Sequence, residues 1–166
     1  MYRRSIEESV DTRVKLGIIS DTHGVLRPEA ARALSGVDLI VHAGDVGNPE
    51  VLVQLKALAP VFAVRGNVDT GAWAKELPAT AIVDAGSASL YVLHNLTELD
   101  LQPKAAGFDA VISGHTHQAE HYEREGVLYL NPGSAGPRRF NLPVTLALVE
   151  VGSGPWKVEI MELLQR

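Results

Sequence analysis

The sequence predicts an α/β (α+β) fold in which two β-sheets pack together with helices outside, as one domain over residues 14–166. Three observations support this. In the first half, apolar runs of strand length alternate with segments patterned for helix, the arrangement of a parallel sheet built from right-handed crossovers. In the second half, short strands follow one another across glycine-marked turns. Finally, 166 residues with 46% hydrophobic and 21% charged side chains suffice for a sizeable core.

Residues 14–20 read as the first strand, ending in Ser20-Asp21-Thr22-His23-Gly24. A helix is expected over 28–34, with Pro28 in its first turn and Gly36 past its end. Residues 37–43 form the second strand, followed by Gly44-Asp45. A helix over 49–58 places Val51, Leu52, Leu55 and Leu58 at helical spacing. The third strand, 60–65, runs into Gly66-Asn67-Val68-Asp69. Strands 80–84 and 89–93 flank Ala85-Gly86-Ser87 as a hairpin, and the second ends in His94-Asn95. One helix is expected over 96–106. Strand 108–113 ends in Gly114-His115-Thr116-His117, and short strands follow at 121–124, 127–130, 144–151 and 156–164. Residues 1–13 read as a flexible N-terminal extension, with a short helix through Ile6 to Val10.

Five polar clusters share one position. Asp21 with His23, Asp45, Asn67, His94, and His115 with His117 each follow an apolar strand. If most of these strands are parallel, their C-terminal ends line one edge, where open α/β sheets place their sites. Asp21 and His23 are two apart, so in extended chain both face one way. Carboxylate oxygen with imidazole nitrogen suits a divalent transition metal. Asp45 is the best candidate to bridge two ions, and Asn67 offers a neutral carbonyl oxygen. Two ions about 3.5–4 Å apart can acidify a water between them and clamp an in-line displacement at phosphorus. Taken singly, each cluster also reads as an ordinary turn, cap or structural histidine. Their recurrence at strand ends favours a metal site.

Composition narrows the function. The net charge of −5 argues against a nucleic-acid platform, and no stable nucleic-acid complex is expected. There is no cysteine, which removes disulfides, thiolate zinc sites and a thiol nucleophile. No apolar run has the length of a membrane span, and the N-terminal residues lack the apolar core of a signal peptide. A cytoplasmic protein without a membrane partner is expected. A homo-oligomer is possible, the β-rich second half offering an edge for pairing.

The ordered set Asp21-x-His23, Gly44-Asp45, Gly66-Asn67-x-Asp69, His94 and Gly114-His115-Thr116-His117, with Asn131-Pro132-Gly133-Ser134, resembles the calcineurin-like metallophosphoesterases. Within them it resembles the small YfcE-type phosphodiesterases of bacteria and archaea. The resemblance implies a four-layer αββα sandwich with a two-metal centre. It implies that Asp21, His23 and His117 hold one divalent ion and Asn67, His94 and His115 the other, with Asp45 bridging. Manganese heads the candidate metals, ahead of nickel, iron, cobalt, zinc and magnesium. The implied activity is hydrolysis of a small phosphodiester by water or hydroxide bridging the ions. The alternatives are a phosphomonoesterase, or a scaffold like the retromer subunit that shares this fold.

Two departures bear on chemistry. Val68 stands where many members of the superfamily have a histidine thought to assist the leaving group, which predicts a preference for good leaving groups. Asn95 follows His94 where glycine is usual, and either contacts substrate or caps the next helix. Arg65 and Arg138-Arg139 are candidates for substrate phosphate, or plain surface charge. His42 is a core residue or a support for a ligand, and Trp73 a lid or core packing.

Overall fold

A computed structural model describes residues 13–164; the expected N-terminal helix lies outside the described residues. The first strand, β1 (Val14–Ile19), and those following the next two crossovers, β2 (Leu39–His42) and β3 (Val61–Ala63), are parallel neighbours. Helix α1 (Pro28–Ala33) and helix α2 (Pro49–Lys56) form the crossovers. Both begin with proline, whose fixed φ suits the first turn. The hairpin β4 (Thr80–Ala85) and β5 (Ala88–Leu93) opens a second sheet, joined by β6 (Ala110–Ile112), β7 (Glu120–Arg124) and β8 (Val127–Asn131). The last two strands, β9 (Thr145–Val151) and β10 (Lys157–Glu162), return to the first sheet and run antiparallel there. The result is two mixed five-stranded sheets, ordered β10-β9-β1-β2-β3 and β4-β5-β6-β8-β7.

Side-chain alternation explains the layering. Leu16, Ile18, Leu39 and Val41 point from the first sheet towards Leu90, Val92, Ile112 and Leu130 of the second, making the inter-sheet core. Ile19, Ile40 and Leu146 take the other face and pack on Ala30, Leu34, Val51 and Leu55 of the helices. Beyond the second sheet, Tyr91, Val111 and Tyr129 pack under Leu96, Leu99, Leu101 and Phe108. Each fully buried Leu or Ile contributes about 1.5–3 kcal/mol. A one-residue slip in β1 would exchange its two faces, so this burial locks the register on which the strand-end residues depend.

One expected element is different. The helix over 96–106 is instead a 3-10 turn, Leu96–Glu98, and a short helix α3, Pro103–Ala106. Pro103 disfavours helical conformation in the residue before it, and Gln102 is extended (φ −100, ψ 107). Asn95 caps the first turn by accepting from the Thr97 N–H at 3.1 Å. A further 3-10 turn, Trp73–Glu76, lies between β3 and β4, and Trp73 packs partly buried against the helix-side core.

Candidate metal centre

The parallel strands β1, β2 and β3 of one sheet and β5, β6 and β8 of the other bring their following turns into proximity. Beyond β1 and β2 the chain stays zipped together. Asp21 N–H donates to the Gly44 carbonyl at 3.0 Å, His23 N–H to Asp45 at 3.0 Å, and Gly24 N–H to Val46 at 2.7 Å. Across the sheets, Gly114 closes on the first turn so tightly that a Cβ there would strike Ser20 Oγ. Gly44 (φ +102) lies under the His94 ring, where a Cβ would come within 2.6 Å of Nδ1.

The backbone is strained where the polar side chains gather. Asp21, His23, Asp45, His115 and His117 all have positive φ, between 48° and 75°. Left-handed backbone disfavours side chains other than Gly and concentrates at functional sites. Here it turns the side chains away from the strand direction and into a common space.

Each carboxylate divides its oxygens between support and site. Asp21 is fully buried. Its Oδ2 accepts from Ser20 Oγ–H (2.6 Å) and from His115 N–H (3.1 Å). Its Oδ1 has no hydrogen-bond partner and lies 3.3 Å from His117 Nε2, 3.8 Å from His23 Nε2 and 4.0 Å from His94 Nε2. Asp45 Oδ1 accepts from Val68 N–H at 3.0 Å. Its Oδ2 lies 3.3 Å from His94 Nε2 and 3.8 Å from His23 Nε2.

The imidazoles are oriented to match. His94 Nδ1 lies 2.7 Å from the Ala43 carbonyl, which can only accept, so Nδ1 carries a proton and Nε2 faces the carboxylates. His23 Nε2 and His117 Nε2 face each other at 3.4 Å. The His115 ring meets His94 edge-on, with centroids 5.2 Å apart. Asn67 follows β3 at the same edge with an exposed side chain. Asp21, His23 and His117 form one group that could hold a cation, and Asp21, Asp45 and His94 a second, their ligand atoms within 4.8 Å of one another in each group. Asp21 is thus common to both.

The donor set fits divalent metal. Two carboxylates and three imidazoles converge, and buried Asp21 Oδ1 and His94 Nε2 lack partners of their own, a costly arrangement for polar atoms unless a cation or proton sits between them. Burial raises the Asp45 pKa, but the His94 imidazole and the Val68 N–H outweigh it and hold the carboxyl down at about 2. For His94, burial lowers the pKa, while Asp45 and the Ala43 carbonyl more than offset this and leave it raised. Burial lowers that of His23.

Several supports appear only in three dimensions. His42 is fully buried in β2. Its Nδ1 accepts the Gly44 N–H at 3.1 Å, so Nε2–H donates to Thr22 Oγ at 3.0 Å, and Thr22 donates onward to the Val46 carbonyl at 2.9 Å. Asp69 accepts from the N–H groups of Val46 (3.2 Å), Gly47 (2.8 Å) and Gly66 (2.8 Å), joining the turns after β2 and β3. Asn131 Nδ2 donates to the Gly114 carbonyl at 2.9 Å, and Ser134 Oγ–H to that of Asp21 at 3.0 Å. The sequence assigns no role to Ser20 or Thr22, whose only signal is position beside a candidate ligand, and Asp69 enters it only through the Gly66-Asn67-x-Asp69 pattern.

Two further candidates make contacts of their own. Arg65 donates to the Leu77 carbonyl at 2.9 Å. Asn95, besides capping its turn, lines a cleft of about 220 Å³ with Thr97, Gly114, Thr116 and Asn131.

Two packed mixed sheets bearing this carboxylate–imidazole cluster define the metallophosphoesterase class. The chain belongs to the calcineurin-like phosphoesterase superfamily, whose domain matches residues 14–154. It is 37% identical over 145 residues to a probable metallophosphoesterase of Methanothermobacter thermautotrophicus, covering 80% of this chain and 84% of that one. It is 26% identical over 168 residues to a phosphodiesterase of Methanocaldococcus jannaschii, covering 90% of this chain and all of the relative. Among solved structures, vacuolar protein sorting 29 of Cryptosporidium parvum superposes with a TM-score of 0.74 at 19% identity, covering 92% of this chain and 99% of that one, which shows the shared fold. Among the described residues no helix is long and apolar enough to cross a membrane.

Proposed function

We propose that this protein hydrolyses small phosphodiesters using two divalent cations. Asp21, His23 and His117 would hold one cation, and Asn67, His94 and His115 the other, with Asp45 between them. The convergence of two half-engaged carboxylates with three imidazoles carries this reading. The Asp45 assignment is supported by its Oδ2, which lies near His23 of one set and His94 of the other. Bound divalent cations would acidify a water and neutralise charge at phosphorus.

The chain's own part is to hold the ligands and admit the substrate. Ser20 and Val68 fix the carboxylates, and the Ala43 carbonyl fixes the tautomer of His94. Asn67, Asn95 and Arg65 would contact substrate at the rim. Val68 offers no proton, so departing alcohols that need little protonation are favoured. A phosphodiester preference accords with the relative from Methanocaldococcus jannaschii. The scaffold reading draws on a shared fold alone.

The test is a grid of metals, manganese first, against a chromogenic diester and its matching monoester, using chelator-stripped protein. Diester cleavage restored by metal and exceeding monoester cleavage is expected. Faster monoester cleavage would make the protein a phosphatase. Metal uptake without any ester cleavage would favour the scaffold.

A further inference from the structure

We propose that the loop over residues 137–143, carrying Arg139 and Phe140, is a substrate clamp: the guanidinium binds the phosphoryl oxygens and the phenyl ring covers a flat organic group on the ester. This deepens the proposed hydrolase and rests on it. The substrate class it selects is phosphodiesters with an aromatic or heterocyclic substituent.

The base of the loop is built into the metal centre. Ala135 N–H donates to the Ser20 carbonyl at 3.0 Å, and Ser134 Oγ–H to that of Asp21 at 3.0 Å. Gly136 packs so closely on the Asp21 and Thr22 carbonyls that a Cβ would come within 2.6 Å of Asp21 O. Arg27 Nε–H donates to the Gly136 carbonyl at 3.1 Å. The Ser134–Val144 bridge pins the far end, and Leu142 N–H turns the tip by donating to the Arg139 carbonyl at 2.8 Å. The loop therefore stands beside the Asp21–His23 turn.

Two residues at its tip have chemistry the fold does not use. Among the described residues, the Arg139 guanidinium makes no hydrogen bond or salt bridge, and it stands three residues beyond Gly136, which packs on the Asp21 and Thr22 carbonyls. In a chain of net charge −5, a cation in that place favours an incoming phosphodiester anion. Arg also matches phosphoryl oxygens with two parallel N–H donors. Phe140 is 81% exposed, the highest value among the exposed large hydrophobic residues of the described chain. It also has φ +54, followed by Asn141 at +61. A bulky residue in left-handed backbone is an outlier, and here it displays a ring to solvent instead of burying it. A planar ligand surface would recover that loss by stacking.

The test uses two non-hydrolysable anions, methylphosphonate and phenylphosphonate, titrated calorimetrically into full-length, manganese-loaded protein. Wild type should bind the phenyl compound more tightly. Arg139→Ala should weaken both by about tenfold, and Arg139→Lys should restore only part of it. Phe140→Ala should bring the two affinities together by weakening the phenyl compound alone. The clamp is overturned if Arg139→Ala leaves both affinities within twofold, or if Phe140→Ala preserves the phenyl preference. The outcomes separate from the hydrolase reading. Diester cleavage by wild type together with unaltered binding in the variants refutes the clamp and spares the hydrolase. Arg139-dependent binding without cleavage upholds the clamp and refutes the hydrolase.

Discussion

Asp21 and Asp45 lie 24 residues apart in the chain, yet each commits one carboxylate oxygen to a nearby donor and turns the other towards His94 and His23. Their ligand oxygens lie within 4.8 Å of each other. Two buried carboxylates so close repel one another unless positive charge lies between them.

Cation binding should therefore stabilise the fold. Saturating manganese at about 100 times its dissociation constant should add about 2.7 kcal/mol to unfolding, and excess chelator should remove it. Denaturant titrations with and without metal measure this. An unfolding curve indifferent to metal would contradict the site.

Asp45→Asn keeps the shape of the side chain and removes its charge. Supporting residues around metals typically account for about 10–100-fold in affinity or activity, and loss of the ligand proposed to lie between the cations should reach the upper end. Metal titration and diester turnover should both fall. Undiminished turnover would refute the role given to Asp45.

His42 makes stability depend on pH. Burial lowers its pKa from 6.5 to about 4. Above pH 6.5 the imidazole is neutral in both folded and unfolded chains. Between pH 6.5 and about 4 the unfolded chain takes up a proton that the folded one refuses, so stability falls as pH falls. The displacement corresponds to about 3 kcal/mol. Chemical denaturation of metal-free protein between pH 4.5 and 8 should follow this slope, and His42→Gln should flatten it.

Asp69→Ala should loosen the turns after β2 and β3. It strands the N–H groups of Val46, Gly47 and Gly66, which the carboxylate now accepts. A buried donor left without a partner costs about 1–3 kcal/mol, partly relieved where water enters. A drop of that size in unfolding free energy, with weaker metal binding, is expected; Asp69→Asn, which keeps acceptor oxygen, should lose less.

Val68 invites a gain of function. Its side chain is 45% exposed while its N–H supports Asp45. Val68→His introduces a proton donor beside the site without removing that hydrogen bond. General acid catalysis contributes about 10²–10⁴-fold where it operates. The variant should accelerate alkyl diesters more than nitrophenyl ones, flattening the dependence of rate on leaving-group pKa. An equal effect on both would show that Val68 does not occupy the leaving-group side.

Most of the candidate ligands were legible because they are locally marked. Asp21, Asp45, His94 and His115 each follow an apolar run, and a run of strand length states where a strand must stop. Parallel order then implies a shared edge. The expected helix over 96–106 is interrupted because Pro103 holds Gln102 in extended backbone, while Leu96, Leu99 and Leu101 pack on the second sheet from a 3-10 turn and the chain after it.

By itself the sequence determined which residue types stand at the strand ends, and that no thiol takes part. The tertiary structure alone decided their aim. Which oxygen of Asp21 accepts from His115, which nitrogen of His94 meets Ala43, and how Asp69 reaches Val46 all depend on contacts between separate elements. A linear pattern carries periodicity and local preference. Hydrogen-bond partners 23 to 94 residues apart are chosen only when burial has locked two sheets face to face.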